Sequence, residues 1–336
     1  MDSPFQSHLN TNYTPSDEEI KKISTFLVEP LSKLSRLDSQ INDLLKERNA
    51  LKKSIEAHRA LMSPFRRLPC DLIREVFLWC LPTDRNCAMS CDEAPVLLSR
   101  VCSDWRQITM TTPAMWTSLH IPVPDLSDVE ILSAKTKQRT GVVHEWLRRS
   151  SNLPLSISFF GKSGTEQLNS GLLFKEVLRH SKRWKRMRFE FSTDLVQSII
   201  TLSQDQVPTL ESLTIINLSD FHSVLLTQSF PPSLHRLSLI GLISTQRLGT
   251  LQLTHLTIHH RSREGPEPLR ILKECSLLTS CDLSLPCGTI DKRLVVTLPY
   301  LQELYFHEVT NSADFFTHLT LPVLRRLKFR TSLGLN

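Results

Sequence analysis

Glycine is scarce in this chain: there are 9 in 336 residues, where average usage would supply about 24. So little glycine leaves few left-handed turns and few of the loops that cradle phosphates, which disfavours an ordinary Rossmann or P-loop enzyme. Aromatic residues are also few, at 7%. Long apolar runs are missing: no stretch approaches 18 uncharged apolar residues, so no transmembrane helix is expected. The first residues, Met1-Asp2-Ser3-Pro4, lead into no apolar segment, so no secretory leader is expected either. On that reading the 8 cysteines are thiols or metal ligands rather than disulfides, and the expected compartment is the cytoplasm, the nucleus or both. Signatures of catalysis are absent. There is no G-x-S-x-G and no H-E-x-x-H, and Gly161-Lys162-Ser163 has Ser156 where a phosphate loop needs its first glycine. No enzyme activity and no cofactor are expected.

Leucine is what the chain has in excess, at about one residue in six, a bias toward helices or leucine-repeat solenoids. Apolar residues make up 40% and charged residues 22%, which suits a chain with a core. The formal charge of +6 is mildly basic. Residues 1–15 read as a polar, disordered arm. Ser16-Asp17-Glu18-Glu19 then forms a capping box, and a short helix with Ile20, Ile23, Phe26 and Leu27 follows, which Pro30 is expected to interrupt or kink. Beyond it Leu34, Leu37, Ile41, Leu44, Arg48, Leu51, Ile55, His58 and Met62 fall on alternating steps of three and four. Two readings fit that stripe: a helix lying on its own protein, or a coiled-coil homodimer through residues 31–62.

A second segment opens at Pro64. Leu72, Ile73, Val76, Phe77 and Cys80 give a short helix with a wide apolar face. After a loop with Pro82 and Pro95, a second helix is expected on which Leu97, Leu98, Val101, Cys102, Trp105 and Ile108 repeat the spacing, and Met115-Trp116 and Leu119 close the unit. Three short helices with surplus apolar surface point to a protein partner. The order Leu68-Pro69-x-Asp71-Leu72-Ile73-x-x-Val76-Phe77, then Val101-Cys102-x-x-Trp105-Arg106, then Trp116 resembles the F-box. More narrowly, the heptad helix running into Ser63-Pro64-Phe65-Arg66-Arg67-Leu68-Pro69 resembles the F-box-like proteins expanded in mushroom-forming fungi. The resemblance covers residues 64–119. It implies a three-helix module that docks the Skp1 adaptor, and through it a cullin, in a ubiquitin ligase. The matched positions implied for that contact are Leu68, Pro69, Leu72, Ile73, Val76, Phe77, Val101, Cys102, Trp105 and Trp116. The loop from Pro82 to Pro95 is longer than in a compact F-box.

Residues 120–150 read as a helical linker ending at Arg148-Arg149-Ser150, and Leu155, Ile157 and Phe159 alternate as in a buried strand. A core of the form L-x-x-L-x-L follows at Trp184-Met187-Phe189, Leu210-Leu213-Ile215, Leu234-Leu237-Leu239, Leu253-Leu256-Ile258, Leu278-Cys281-Leu283, Leu301-Leu304-Phe306 and Leu324-Leu327-Phe329. Successive starts lie 19 to 26 residues apart, close to the 20–29 of leucine-rich repeats. Pro208, Pro232, Pro299 and Pro322 each stand two residues ahead of a first leucine. The period of two turns the leucines inward and Thr214, Ser238, Thr257, Asp282, Tyr305, His307 and Lys328 outward, a polar strip suited to a protein substrate.

Three other features invite chemistry. Cys87 and Cys91, near Cys80 and Cys102, could be read as a metal site, but zinc prefers C-x-x-C pairs and no histidine lies near in sequence. They read as small thiols, with Cys80 and Cys102 on buried helix faces. Cys275, Cys281 and Cys287 fall in one repeat, where Cys281 replaces a core leucine. Residues 179–188 carry six Lys or Arg in ten. Nucleic acid is one reading of that run; the other turns Trp184, Met187 and Phe189 inward and the charges to solvent. His259-His260-Arg261 reads as a solvated loop. Altogether the sequence predicts an α+β or α/β chain: arm 1–15, helical or coiled-coil segment 16–62, F-box-like module 63–119, helical linker 120–150 and irregular leucine-rich-repeat solenoid 151–336 with a curved parallel sheet.

Overall fold

The computed structural model describes residues 3–124, 129–161, 170–191, 193–218, 224–226, 230–241, 243–245, 252–260, 268–284, 293–307 and 312–330. The chain divides into two compact units, Met1–Pro69 and Cys70–Asn336.

The N-terminal unit is dominated by one helix, α1 (Asp17–Leu61). Its start is fixed locally: the Glu19 carboxylate accepts from the Ser16 backbone N–H at 2.8 Å and from the Ser16 hydroxyl at 2.9 Å. That contact, with the Tyr13 hydroxyl donating to the same carboxylate, holds Glu19 below the usual carboxylate range. Pro30 lies inside the helix and does not interrupt it, which removes the first of the two expected effects. Proline removes one backbone hydrogen bond, whereas each helical residue on either side adds one, so a long helix absorbs the loss. No described residue of α1 is buried.

The larger unit begins with α2 (Cys70–Trp79) and α3 (Ser103–Met110). The expected helix over 97–108 is two pieces: a 3-10 turn, Leu98–Arg100, and α3, separated by an extended Cys102. The break has a local cause. The Arg106 side chain donates to the Ser99 carbonyl at 2.9 Å, and Ser103-Asp104 are residue types that start helices. A further 3-10 turn, Pro113–Trp116, leads into a parallel sheet of nine strands.

These strands are β1 (Ser118–Pro122), β2 (Leu155–Phe160), β3 (Trp184–Phe191), β4 (Ser212–Asn217), β5 (Arg236–Gly241), β6 (His255–His260), β7 (Ser280–Ser284), β8 (Glu303–His307) and β9 (Arg326–Arg330). Spatial order equals chain order, and every neighbouring pair is parallel. The sheet therefore begins at Ser118, inside the segment expected to be helical module and linker. Each connection carries the chain back to start the next strand. Among the described residues those connections include α4 (Val129–Arg149), α5 (Ser170–Leu178), α6 (Thr193–Ile200), α7 (Pro268–Glu274) and α8 (Ser312–Thr317). Two short parallel pairs, Val224–Leu226 with Ile243–Thr245 and Val296–Thr297 with Leu319–Thr320, complete the set.

The sequence period becomes sheet register. Met187, Leu213, Leu237, Leu256, Cys281, Leu304 and Leu327 are successive ladder partners, and so are Phe189, Ile215, Leu239, Ile258, Leu283, Phe306 and Phe329. From β3 to β8 both sets are buried, whereas Leu327 and Phe329, on the last strand, are exposed. The residue after each first leucine makes a recurring contact ahead of the strands: its carbonyl accepts two amides of the next repeat. Thus the Glu211 carbonyl accepts from His235 and Arg236, that of Thr254 from Thr279 and Ser280, and that of Gln302 from Arg325 and Arg326, all at 2.8–3.1 Å. Gly241 is required where it stands. Its φ is +104°, and a Cβ there would lie 2.3 Å from the Asn217 carbonyl oxygen.

Candidate docking surface

The two rows of α2 have different fates. Ile73 and Phe77, at i and i+4, point into the larger unit, where Phe77 meets the Trp105 ring at 4.9 Å. Leu72, Val76 and Trp79, at i, i+4 and i+7, share the next face. It stays in solvent, with Leu72 52%, Val76 42% and Trp79 81% exposed. Leu97 and Val101 add 44% and 55% exposed side chains from the 3-10 turn region. Trp79 was not singled out in the sequence, although its spacing of seven from Leu72 marks the same face.

The residues implied for the adaptor contact are thus of two kinds. Leu72, Val76, Val101 and Cys102 are exposed and Trp105 is half-buried. Ile73, Phe77 and Trp116 are core, which corrects their placement on a surface. Trp116 packs edge-on against Trp146 at 4.8 Å, donates its indole N–H to the Thr109 carbonyl at 2.9 Å and lies under the Arg149 guanidinium. Leu68 and Pro69 are exposed and belong to the N-terminal unit. Cys80 and Cys102 are exposed rather than buried on helix faces. The Cys80 thiol donates back to the Val76 carbonyl, and Cys102 stands in the break between the helical pieces.

The long loop after Pro82 is a built element. Glu93 pairs with Arg85 and accepts the Ala88 N–H at 2.7 Å. Arg85 holds the Glu93 carboxyl below its usual range. The loop then docks on β1: His120 N–H donates to the Cys87 carbonyl at 2.7 Å, Ala88 bridges to His120, and the Ser118 hydroxyl donates to Asn86 Oδ1 at 3.0 Å. Cys87 is buried beneath it, and burial pushes its thiol up. No group of three or more His, Cys, Asp or Glu gathers as a metal site among the described residues. Residues 82–86 form one wall of a cleft of about 720 Å³ whose floor is the polar face of β1–β3. Ser118 and His120, Ser156 and Ser158, Arg186 and Arg188 stand there in ladder register. His120 meets the Ser158 hydroxyl at 2.8 Å, and burial, helped by Arg85 and Arg188, holds its imidazole below the usual range. Glu190 beside Arg188 gives the cleft charges of both signs.

The polar face continues along the sheet. Arg188, Thr214, Ser238, Thr257, Asp282, Tyr305 and Lys328 are successive ladder partners. Thr214, Ser238, Thr257, Asp282 and Tyr305 are half-buried and Lys328 is exposed. Asp282 is 3.0 Å from His259, and Glu303 receives Tyr305 at 3.2 Å and Arg326 at 2.6 Å. His259 is therefore part of this face, not a loop residue. The side chain of His307 lies outside the described residues, as do Lys162, Ser163, Arg261 and Cys287. In the basic run Trp184, Met187 and Phe189 are buried. Arg179 pairs with Glu176, Lys185 with Glu211 and Arg188 with Glu190. Among the described residues no helix is long and apolar enough to cross a membrane. Set against family models and against curated proteins, the chain matches none.

Proposed function

We propose that this chain is a non-enzymatic substrate-recognition subunit of a cullin-type ubiquitin ligase. On this reading residues 64–119 dock a Skp1-type adaptor, which brings the cullin. The nine strands with their returns are an irregular leucine-rich-repeat solenoid whose polar face receives a protein substrate. The observation that carries the reading is the apolar row Leu72, Val76 and Trp79, with Leu97 and Val101, left in solvent on the segment that resembles an F-box. The repeated carbonyl clamp and the leucine ladders support the solenoid. The mixed hydroxyl, acidic and basic strip supports a protein substrate over a polyanion. A basic scaffold binding nucleic acid is the alternative, and it finds less support because half of the cations in 179–188 are paired with carboxylates.

The test is capture of a Skp1-type adaptor and a cullin by the full chain, beside a variant with Leu68→Ala and Pro69→Ala. The proposal expects capture by the parent and its loss in the folded variant. Salt separates the alternative, since phosphate binding weakens steeply with salt and docking on apolar surface does not.

A further inference from the structure

We propose that α1 pairs with a second copy of this chain as a parallel, in-register, two-stranded coiled coil. The inference is independent of ligase function. It rests on a helix that runs unbroken from Asp17 to Leu61 with no described residue buried, so its apolar stripe stays in solvent along the whole length.

Because the helix passes through Pro30, one heptad frame extends along it. Ile20, Leu27, Leu34, Ile41, Arg48 and Ile55 occupy the first seam position, and Ile23, Pro30, Leu37, Leu44, Leu51 and His58 the second. Leucine holds the second position at 37, 44 and 51, and isoleucine holds the first at 41 and 55. β-Branched residues at the first position with leucine at the second favour two parallel strands.

The flanking charges choose the orientation. In a parallel, in-register pair, each residue before a first seam position faces the residue five further along the other chain. Lys33 then meets Asp38 of the second copy and Glu47 meets Lys52, and the twofold symmetry makes each pair twice. Among the described residues Lys33, Asp38 and Glu47 have no ion pair within their own chain, and the Lys52–Glu56 contact is long at 3.9 Å. An antiparallel pair over the same seam would set Glu47 against its own copy and Lys33 against Leu61 and keep only the two symmetry-related Asp38–Lys52 pairs, against four opposite-charge pairs in the parallel arrangement. Arg48 faces its counterpart in the parallel pair with Glu47 of the other chain beside it. A charged residue at a seam position fixes register at some cost in stability.

The full chain is tested by mass in solution at high micromolar concentration and by energy transfer between copies labelled separately at the N-terminal amine. Expected are about 77 kDa, twice the 38.5 kDa chain, and strong transfer. Antiparallel helices of 45 residues would hold the labels about 68 Å apart. The variant Leu37→Glu with Leu44→Glu, both exposed in the single chain, should be monomeric with its helix content retained. Glu47→Lys should weaken pairing about tenfold through repulsion of Lys52, and adding Lys52→Glu should restore it. A monomeric parent, a dimer without transfer, a dimer that survives the seam variant, or a charge reversal without effect would each overturn the assignment.

Discussion

Leu237 and Ser238 are neighbours in β5 with opposite surroundings. Leu237 is buried between its ladder partners Leu213 and Leu256, whereas Ser238 lies half-buried on the polar face between Thr214 and Thr257. Leu237→Ala removes a buried branched side chain from a stack held on both sides, where the neighbours can collapse only in part. The cost is about 2–5 kcal/mol. At a midpoint loss of about 3 kcal/mol, and about 3 °C per kcal/mol for a unit of this size, Tm falls by about 10 °C. Ser238→Ala forfeits no packing and should stay within about 0.5 kcal/mol. Thermal unfolding of the two variants beside the parent, followed by circular dichroism, measures both. If Ser238→Ala proved as damaging as Leu237→Ala, the two faces of the strand would be misassigned, and the substrate face with them.

Gly241→Ala should destabilise by more than about 1–3 kcal/mol, because a positive φ of +104° coincides with a Cβ position 2.3 Å from the Asn217 carbonyl; a chemical denaturation midpoint equal to the parent's would contradict the close approach. Burial holds His120, His180 and His255 below the ordinary histidine range, so the unfolded chain binds protons first as pH falls. Stability should therefore be full above about pH 7 and decline as pH drops through about 6.5 toward the folded values. Glu145, held at about 2 by Arg148 and Arg149, adds a loss only below about pH 4.5, so Tm measured at about pH 7.5 and 5.5 isolates the histidines. Glu93→Ala should free Arg85 and the Ala88 amide and loosen the 82–95 wall, seen as faster hydrogen exchange at the His120 amide that donates to Cys87; unchanged exchange there would show that the wall stands without Glu93.

What could be read from the sequence was whatever a short span determines. The Ser16–Glu19 cap is contained in four residues, and it forms as the spacing dictates. The ladder through Met187, Leu213, Leu237 and Leu256 was legible because a stacked parallel sheet repeats one pattern of inward residues, and Pro208 and Pro232 mark its phase. β1 was not legible: Ser118–Pro122 offers only Leu119 and Ile121 as inward residues and ends in proline, so it becomes a strand by pairing with β2. The split of α2 was hidden for another reason. Leu72, Ile73, Val76 and Phe77 are all apolar, and only the position of Trp105 decides which row is core. The 82–95 wall depends on Arg85, Glu93 and Asn86 reaching partners that the sequence does not bring together by any period. At Pro30 a local rule allowed an interruption or a kink, and the helix on either side overrides the interruption.

The most direct test of the central claim is the affinity of the full chain for a purified Skp1-type adaptor, measured by calorimetry with and without Leu72→Glu and Val76→Glu. Both side chains are exposed in the single chain, so the double variant should fold with the parent's Tm while a charge enters each half of the apolar row. The parent should bind with a negative heat-capacity change, and the variant should lose at least about 100-fold, or about 2.7 kcal/mol. An unchanged affinity in the folded variant, or no binding by the parent, would contradict it.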